Sequence, residues 1–345
     1  MIAERLTAQL LAGAPPRDPV EVTRRLLAVQ GQDPRGARLA IRSRSTGLTA
    51  ADVDRALTED RTLLITWVNR GTLHLVHRDD YPWLHALTTP PLFTANARRL
   101  EQEGVSPDAA ERGVSVIERA LADAGPLTRV QLRERLDAAG VPTQGQALVH
   151  LLLLASLRGL IVRGPMLGSQ HAFVLVRDWL GETPVVDRDA ALAELARRYL
   201  QGHGPADDRD LARWAGLPLR NVRAGLAAIA SELDQRADGL VDLAKRPSPA
   251  PLPAPRLLGA FDPLLLGWCS REPILGANRT IVTVNGIFRP FALIDGRAVA
   301  TWRMPAGKVE LEPFDRLDPA QWQALETDAR DVERYLGFSG GQSSA

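Results

Sequence analysis

The 345-residue chain holds a single cysteine, Cys269. One thiol excludes an intramolecular disulfide, and a cysteine-based zinc site would need ligands that are missing. Cys269 lies in the apolar run LLLGWCS and reads as a buried, inert thiol. The six histidines show neither HExxH nor a similar metal spacing, so no metal or other cofactor is expected. Lysine is nearly absent: Lys245 and Lys308 stand alone, and the other 40 of the 42 basic residues are arginine. A GC-rich genome would produce that bias by itself, although arginine's planar fork also suits phosphates and base edges. No apolar run approaches the roughly 20 residues that span a bilayer. The start, MIAERLTAQLLAGAPP, carries a glutamate, reads as a helix and lacks a signal-peptide pattern. A cytoplasmic, nucleoid-associated protein without a membrane partner is the expectation.

What is present concentrates near the start. Gln30-Gly31-Gln32-Asp33 ends the apolar-periodic run VEVTRRLLAVQ, and Arg35, Arg38, Arg42 and Arg44 follow with no acid among them. Two amides that can hold a water or a base edge, beside a phosphate-attracting run, point to nucleic acid. The net charge is only +1, but it is uneven. Residues 1–100 carry 14 arginines against 10 acids, and residues 308–345 carry 4 basic residues against 8 acids. A basic front and an acidic back would turn DNA toward one face.

The periodicities predict an α+β chain of three tandem winged helix-turn-helix units and a C-terminal β-barrel-like domain. The units span 1–100, 101–184 and 185–246, with a linker and barrel over 247–345. The second unit is clearest. The helix VSVIERALADAG stops at Gly125-Pro126, and Thr128 caps TRVQLRERLDAAG, which Gly140 ends. A third helix, GQALVHLLLLASLRG, leads to a strand LIVR, a turn region GPMLGSQ and a strand HAFVLV. That order is a winged helix, with the hairpin as wing. An internal repeat supports it: GPLTRVQLRERL from Gly125 recurs as GPADDRDLARWA from Gly204. The first unit has helices in IAERLTAQLL, PVEVTRRLLAVQ and LTAADVDRALTED, with Thr49 as cap. Its wing is LLITWV and TLHLV around Asn69-Arg70-Gly71. PSPAPLPAPR (247–256) is a proline-rich linker. Beyond it RTIVTVNGIFRPFALIDGRAVATWRM reads as a strand meander with turns at Asn285-Gly286 and Asp295-Gly296. A terminal helix, DPAQWQALETDARDVERYLG, and a disordered tail, GGQSSA, close the chain.

Four segments in order, LLAVQGQDPRGARLAIRSRS, TWVNRGTLHLV, FDPLLLGW and NGIFRPFALIDGRAVATW, resemble the AlkZ/YcaQ family of winged-helix DNA glycosylases over nearly the whole chain. The resemblance implies three tandem winged helices and a β-barrel around a DNA-sized channel. It also implies a monofunctional enzyme that removes alkylated purines from double-stranded DNA and, in some members, unhooks interstrand crosslinks. An open cleft, without ordinary base flipping, goes with such lesions. The family's catalytic signature is Gln–aliphatic–Gln, or Gln–aliphatic–Asp in another branch. Gln30 and Gln32 match its polar positions, and Gly31 departs from the aliphatic one.

Each candidate has a plainer reading beside it. Gln30 and Gln32 could be exposed residues ending a helix. Asp33 is either an assisting base or a cap before Pro34. Arg35, Arg38, Arg42 and Arg44 contact phosphates or form a solvated surface. Arg70, at the tip of a turn whose glycine answers to turn geometry, could reach DNA. His74 on the following strand is a DNA contact or a core histidine, and Ser169 and Gln170 touch DNA from the second wing or only fill its turn. Trp67, Trp268 and Trp302 read as core anchors. The rival functions are a non-catalytic DNA-binding protein, either regulator or lesion binder, and a small-molecule binder using the barrel. Three winged helices in one chain, with no coiled-coil heptads, favour a monomer.

Overall fold

Four helices open in the same way. An Asp or Ser side chain accepts a hydrogen bond from the first turn and proline follows at once, at Asp18-Pro19, Asp33-Pro34, Ser106-Pro107 and Asp318-Pro319. The cap satisfies an orphan amide, and proline has no N–H to lose at that position. The computed structural model describes residues 1–338; the tail GGQSSA lies outside the described residues. No helix is long and apolar enough to cross a membrane among the described residues.

The chain starts with α1 (Ile2–Ala8) and α2 (Pro19–Leu26). The helical period of VEVTRRLLAVQ pointed to one helix through Gln30. Instead α2 stops before Leu27, which takes φ 65°, and the chain continues as a short strand β1 (Val29–Gln30). An unforeseen helix, α3 (Pro34–Arg42), follows. The expected α4 (Ala50–Thr58) starts after Thr49, whose N–H donates to Asp52 at 2.8 Å. The hairpin β2 (Leu63–Val68) and β3 (Thr72–His77) turns at Asn69-Arg70-Gly71 as the sequence indicates. Next come α5 (Tyr81–Thr88), α6 (Leu92–Gln102), α7 (Pro107–Ala124), α8 (Arg129–Ala138) and α9 (Ala147–Leu157). A second hairpin, β4 (Ile161–Leu167) and β5 (Gln170–Leu175), runs through most of the predicted turn region and reverses only at Gly168-Ser169. After α10 (Val176–Leu180) stand α11 (Arg188–His203), α12 (Asp208–Ala215), α13 (Leu219–Ala228) and a two-stranded pair, β6 (Leu233–Gln235) and β7 (Val241–Leu243).

The repeat seen in the sequence has a structural counterpart. Thr128 and Asp207 occupy the same place in the two copies, and each caps its helix in a capping box with the residue three further on. The residue before each cap, Leu127 or Ala206, makes an isolated bridge to the strand that follows, at Phe173 or Val241.

The two hairpins share one antiparallel sheet of order β1-β3-β2-β4-β5, and β2 meets β4 at Ile65↔Arg163. Alternation sorts its faces. Ile65, Trp67, Leu73, Leu75 and Phe173 belong to the core under α7 and α9, whereas Leu64, Val68, Val76, Val162 and Val174 join the core around α11. Trp67, Trp268 and Trp302 are all buried, as read from the sequence.

The C-terminal part corrects the barrel. β8 (Arg256–Leu258) precedes α14 (Glu272–Leu275), and then come β9 (Phe291–Ile294), β10 (Arg297–Arg303) and β11 (Glu310–Pro313). They form an open antiparallel sheet, β11-β10-β9-β8. α15 (Pro319–Tyr335) covers it: Leu325, Ala329 and Val332 pack on Ala292, Ile294, Ala300 and Trp302. A helix thus buries the apolar face that closure would otherwise have enclosed. Of the two expected hairpin turns, Asp295-Gly296 joins β9 to β10, whereas Asn285-Gly286 closes only a single bridge, Val282↔Phe288.

The joint between front and back is polar. Arg44 and Asp262 are both fully buried and bond through two nitrogens at 2.7 and 2.9 Å. Gln9 accepts from Arg44 Nη2 at 2.8 Å. Close packing surrounds the pair. A Cβ on Gly36 would stand 2.4 Å from the carbonyl oxygen of Ala260, so only glycine lets α3 lie against that backbone. Breaking a buried pair leaves a charge stranded. Asp262→Ala is expected to cost about 3–5 kcal/mol in urea unfolding, and Arg44→Met/Asp262→Leu to recover most of it; equal losses in both variants would refute that account.

Two buried histidines couple stability to pH. His203 stacks on Tyr199 at 4.8 Å inside the second core, and His74 lies on β3. Burial pushes both down to about 3, with the nearby Arg70 charge adding to the effect at His74. An unfolded histidine titrates near 6.5. Their contribution to stability is therefore complete above about pH 6.5 and is lost as pH falls toward 3, because only the unfolded chain takes up those protons. The two together are expected to lower the unfolding free energy by about 4 kcal/mol between pH 7.5 and 5, and His171, which burial also pushes down to about 3, adds to the drop; urea titrations at the two pH values test this, and equal stability would contradict it.

Candidate active site

β1 is an edge strand, and its register decides where the amides point. Gln30 pairs with His74, and Thr66 lies opposite His74 on the next strand, so the three side chains share one face. The N–H of Gly31 donates to Leu73 O at 2.7 Å. Two residues later Asp33 starts α3, its carboxylate accepting from Arg35 N at 2.9 Å. Gln32 is thus held between a paired strand and a capped helix. The capping role read for Asp33 is the one its side chain fills.

The two glutamines meet. Gln30 Nε2 donates to Gln32 Oε1 at 2.6 Å. Gln30 is 6% exposed, whereas Gln32 is open to solvent. Among the described residues, Gln30 Oε1 and Gln32 Nε2 make no other side-chain hydrogen bond, so the pair presents one acceptor and one amide donor. His74 stands opposite Gln30 with Nδ1 2.9 Å from Thr72 O. Burial and Arg70 hold its ring neutral, so Nδ1–H donates to that carbonyl and Nε2 keeps its lone pair. Gln30, Gln32 and His74 are neutral polar groups and none of the three is a strong base, while the neighbouring Asp33 carboxylate is turned to its cap. Gly31 has ordinary backbone angles, and a Cβ there would meet Ile65 Cγ2, Leu75 N and Leu73 O at 3.6–3.7 Å, which is normal contact.

The arginine run is mostly used inside the protein. Arg38 bonds Asp54 and donates to Pro34 O at 2.9 Å. Arg42 is gripped by Asp328 at 2.5 Å and Asp331 at 2.9 Å on α15. Arg44 is paired with Asp262. These three are 8%, 5% and 0% exposed, and they are corrected from phosphate contacts to structural ties. The physical reason is that acids far along the chain supply the counter-charges that the local run lacks. The acidic tail therefore neutralises part of the basic front directly. Arg35 alone of the four remains exposed.

His74 is corrected likewise, since a side chain 3% exposed lies beneath the surface beside Gln30. Arg70 is exposed at the β2–β3 turn, but its Nη1 donates to Arg213 O at 3.1 Å and Trp214 O at 2.7 Å, anchoring the turn on α12. Ser169 and Gln170 are exposed at the second turn. Cys269 is also corrected: it is exposed, because the chain turns outward once Trp268 has filled the core and bonded His203 O at 2.9 Å. Burial and Asp210 nevertheless raise its thiol above the usual value.

Sequence reasoning missed Arg213, Arg271 and Phe261. Arg271 Cζ lies 5.0 Å over the Phe288 ring, and Phe288 stands 5.5 Å from Phe261. Phe261 has φ 55°, a strained value for an aromatic residue. The sequence signal was slight, a bulky residue in the FDP turn next to the carbonyl of Ala260 that Gly36 admits.

Comparison with known proteins finds similarity over nearly the whole chain. A curated relative, the interstrand DNA cross-link repair glycosylase of Streptomyces sahachiroi, is 28% identical over 365 residues, covering 98% of this chain and 96% of the relative. The solved structure of the Streptomyces sahachiroi DNA glycosylase AlkZ superposes with a TM-score of 0.78 at 26% identity, covering 98% of this chain and 96% of that one. The profile of the family described as DNA glycosylase AlkZ-like matches residues 23–335, and the chain belongs to that family.

Proposed function

We propose that the chain is a monofunctional DNA glycosylase that hydrolyses the N-glycosidic bond of cationic alkylated purines in duplex DNA, bulky and interstrand-crosslinked lesions included. The observation that carries this reading is the hydrogen-bonded Gln30–Gln32 pair at the edge of the sheet, beside a neutral His74. The coverage of the crosslink-repair relative supports it. The chain is read as a cytoplasmic monomer of three wing-bearing units and a C-terminal sheet domain, divided near residues 100, 184 and 246.

The chemistry follows from what the pair can and cannot do. Alkylation at N7 or N3 puts a positive charge on the purine, so the base leaves by taking the glycosidic electron pair and becoming neutral. The sugar passes through an oxocarbenium-like state. A water adds to its anomeric carbon and releases a proton to solvent. Gln30 Oε1 is the free acceptor that can hold this water and turn a carbonyl dipole toward the developing charge. Gln32 fixes that orientation through its bond to Gln30 Nε2. No group here is a strong general base, so undamaged neutral purines should react poorly.

Release of 7-methylguanine and 3-methyladenine from alkylated duplex is the direct assay. Wild type should release both, and Gln30→Ala/Gln32→Ala should lose at least a hundredfold in rate, about 2.7 kcal/mol. DNA binding without any release would make the protein a lesion binder or regulator instead. The room at Gly31 adds a second expectation: Gly31→Ala folds normally and raises the rate by stiffening the pair. A Gly31→Ala enzyme no faster than wild type would show that packing at this position does not limit catalysis.

A further inference from the structure

Three arginines from distant parts of the chain meet around α12 at the turn of the hairpin that carries His74, and none of them has a carboxylate partner among the described residues. Arg70 lies at the β2–β3 turn, its guanidinium on the last carbonyls of α12. The contact is close: a Cβ on Gly216, which takes φ +71°, would stand 2.8 Å from Arg70 N. Arg213, on the last turn of α12, is exposed, and only its backbone carbonyl is engaged, by Arg70. Arg271 is half-buried, stacks over Phe288 at 5.0 Å and donates Nε to Leu265 O at 2.7 Å. Partial desolvation by the packed turn lowers Arg70, with Arg213 and Arg271 adding to it, and Arg213 adds likewise to the desolvation that lowers Arg271.

The cluster connects to the amides from both sides. Arg70 acts on His74, which lies directly across from Gln30. Arg271 leads through Phe288 and Phe261 to Ala260, whose carbonyl abuts Gly36 on the first turn of α3, next to Gln32-Asp33. The turn that carries Arg70 also holds buried polar groups without a partner among the described residues, the Asn69 amide and the Thr72 hydroxyl. Like charges kept together without an acid are costly unless an anion joins them. Guanidinium forks match phosphate oxygens in geometry as well as charge.

We propose that Arg213 and Arg271, with Arg70 anchored beside them, clamp one phosphate of the DNA strand that carries the reacting sugar. The proposal rests on the reading above for its ligand and for the sugar it positions, whereas the phosphate contact itself needs no base release. Arg213 and Arg271 would be positioning residues that fix the sugar against Gln30 and Gln32, so that little motion remains to be lost at the reacting centre.

The test uses the full chain and a short duplex with a tetrahydrofuran abasic analogue, which cannot lose a base. Each phosphate flanking the analogue is replaced in turn by a neutral methylphosphonate, and affinity is read by fluorescence anisotropy. In wild type one position should cost about tenfold. Arg213→Gln should cost a similar factor on the unmodified duplex and become insensitive to that same position, with its salt slope smaller by about 0.9. Arg271→Gln should behave likewise, and Arg330→Gln, exposed on α15, should match wild type. Losses that simply multiply at every position would overturn the clamp. Coupling without base release in the glycosylase assay would leave the clamp standing and remove the enzymatic reading, and base release without coupling would do the reverse.

Discussion

An ion pair shut away from water, Arg44 with Asp262, sets the position of the helix on which the candidate site depends. Burying two charges is expensive, and only good geometry offsets the cost. Here two parallel bonds and an added acceptor, Gln9, supply that geometry. The pair fastens the end of α3 to the loop that follows β8. Gly36 and Gly259 then let the two backbones touch, since a Cβ on Gly259 would stand 2.9 Å from Leu39 Cβ and one on Gly36 would strike the Ala260 carbonyl. With its C-terminal end tied by Arg42 and Arg44 and its N-terminal end capped by Asp33, α3 has little freedom to rotate. Gln32 inherits that fixed position, and Gln30 inherits the register of β1.

The same ties change the meaning of the charge pattern. A run of arginines without neighbouring acids looks like a surface for phosphate. In the folded chain Asp54, Asp262, Asp328 and Asp331 reach three of the four from a distance. Arg35 by the amide pair has no carboxylate partner among the described residues, and the same holds for Arg70, Arg213 and Arg271, whose meeting no local run announces.

Much of the fold was legible. Caps such as Thr128 and Thr49, stops such as Gly125, and the turn at Asn69-Arg70-Gly71 are local signals, and local physics decided them. The repeat from Gly125 and Gly204 carried further, because equal caps enforce equal bridges to the next strand. The failures were of another kind. Helical periodicity ran through Leu27, but its positive φ and the pairing of β1 with β3 overrode propensity. The meander after Asp295-Gly296 is real, but α15 on its face makes closure unnecessary. At the site, the amide pair was visible as a motif, whereas the burial of Arg44 and the company of Arg213 and Arg271 depend on contacts between residues more than 140 apart.

The sheet common to both hairpins has a mechanical consequence. Because β2 meets β4 at Ile65↔Arg163 and one core runs beneath both hairpins, the two hairpins cannot hinge apart without breaking that bridge and opening the core. That junction offers no hinge for folding around a duplex. Work needed to expose a damaged base would fall on the DNA, in bending or unstacking, and would be smallest where the damage has already weakened the helix. In such a protein, discrimination would begin with how easily the DNA yields, before any side chain touches the lesion.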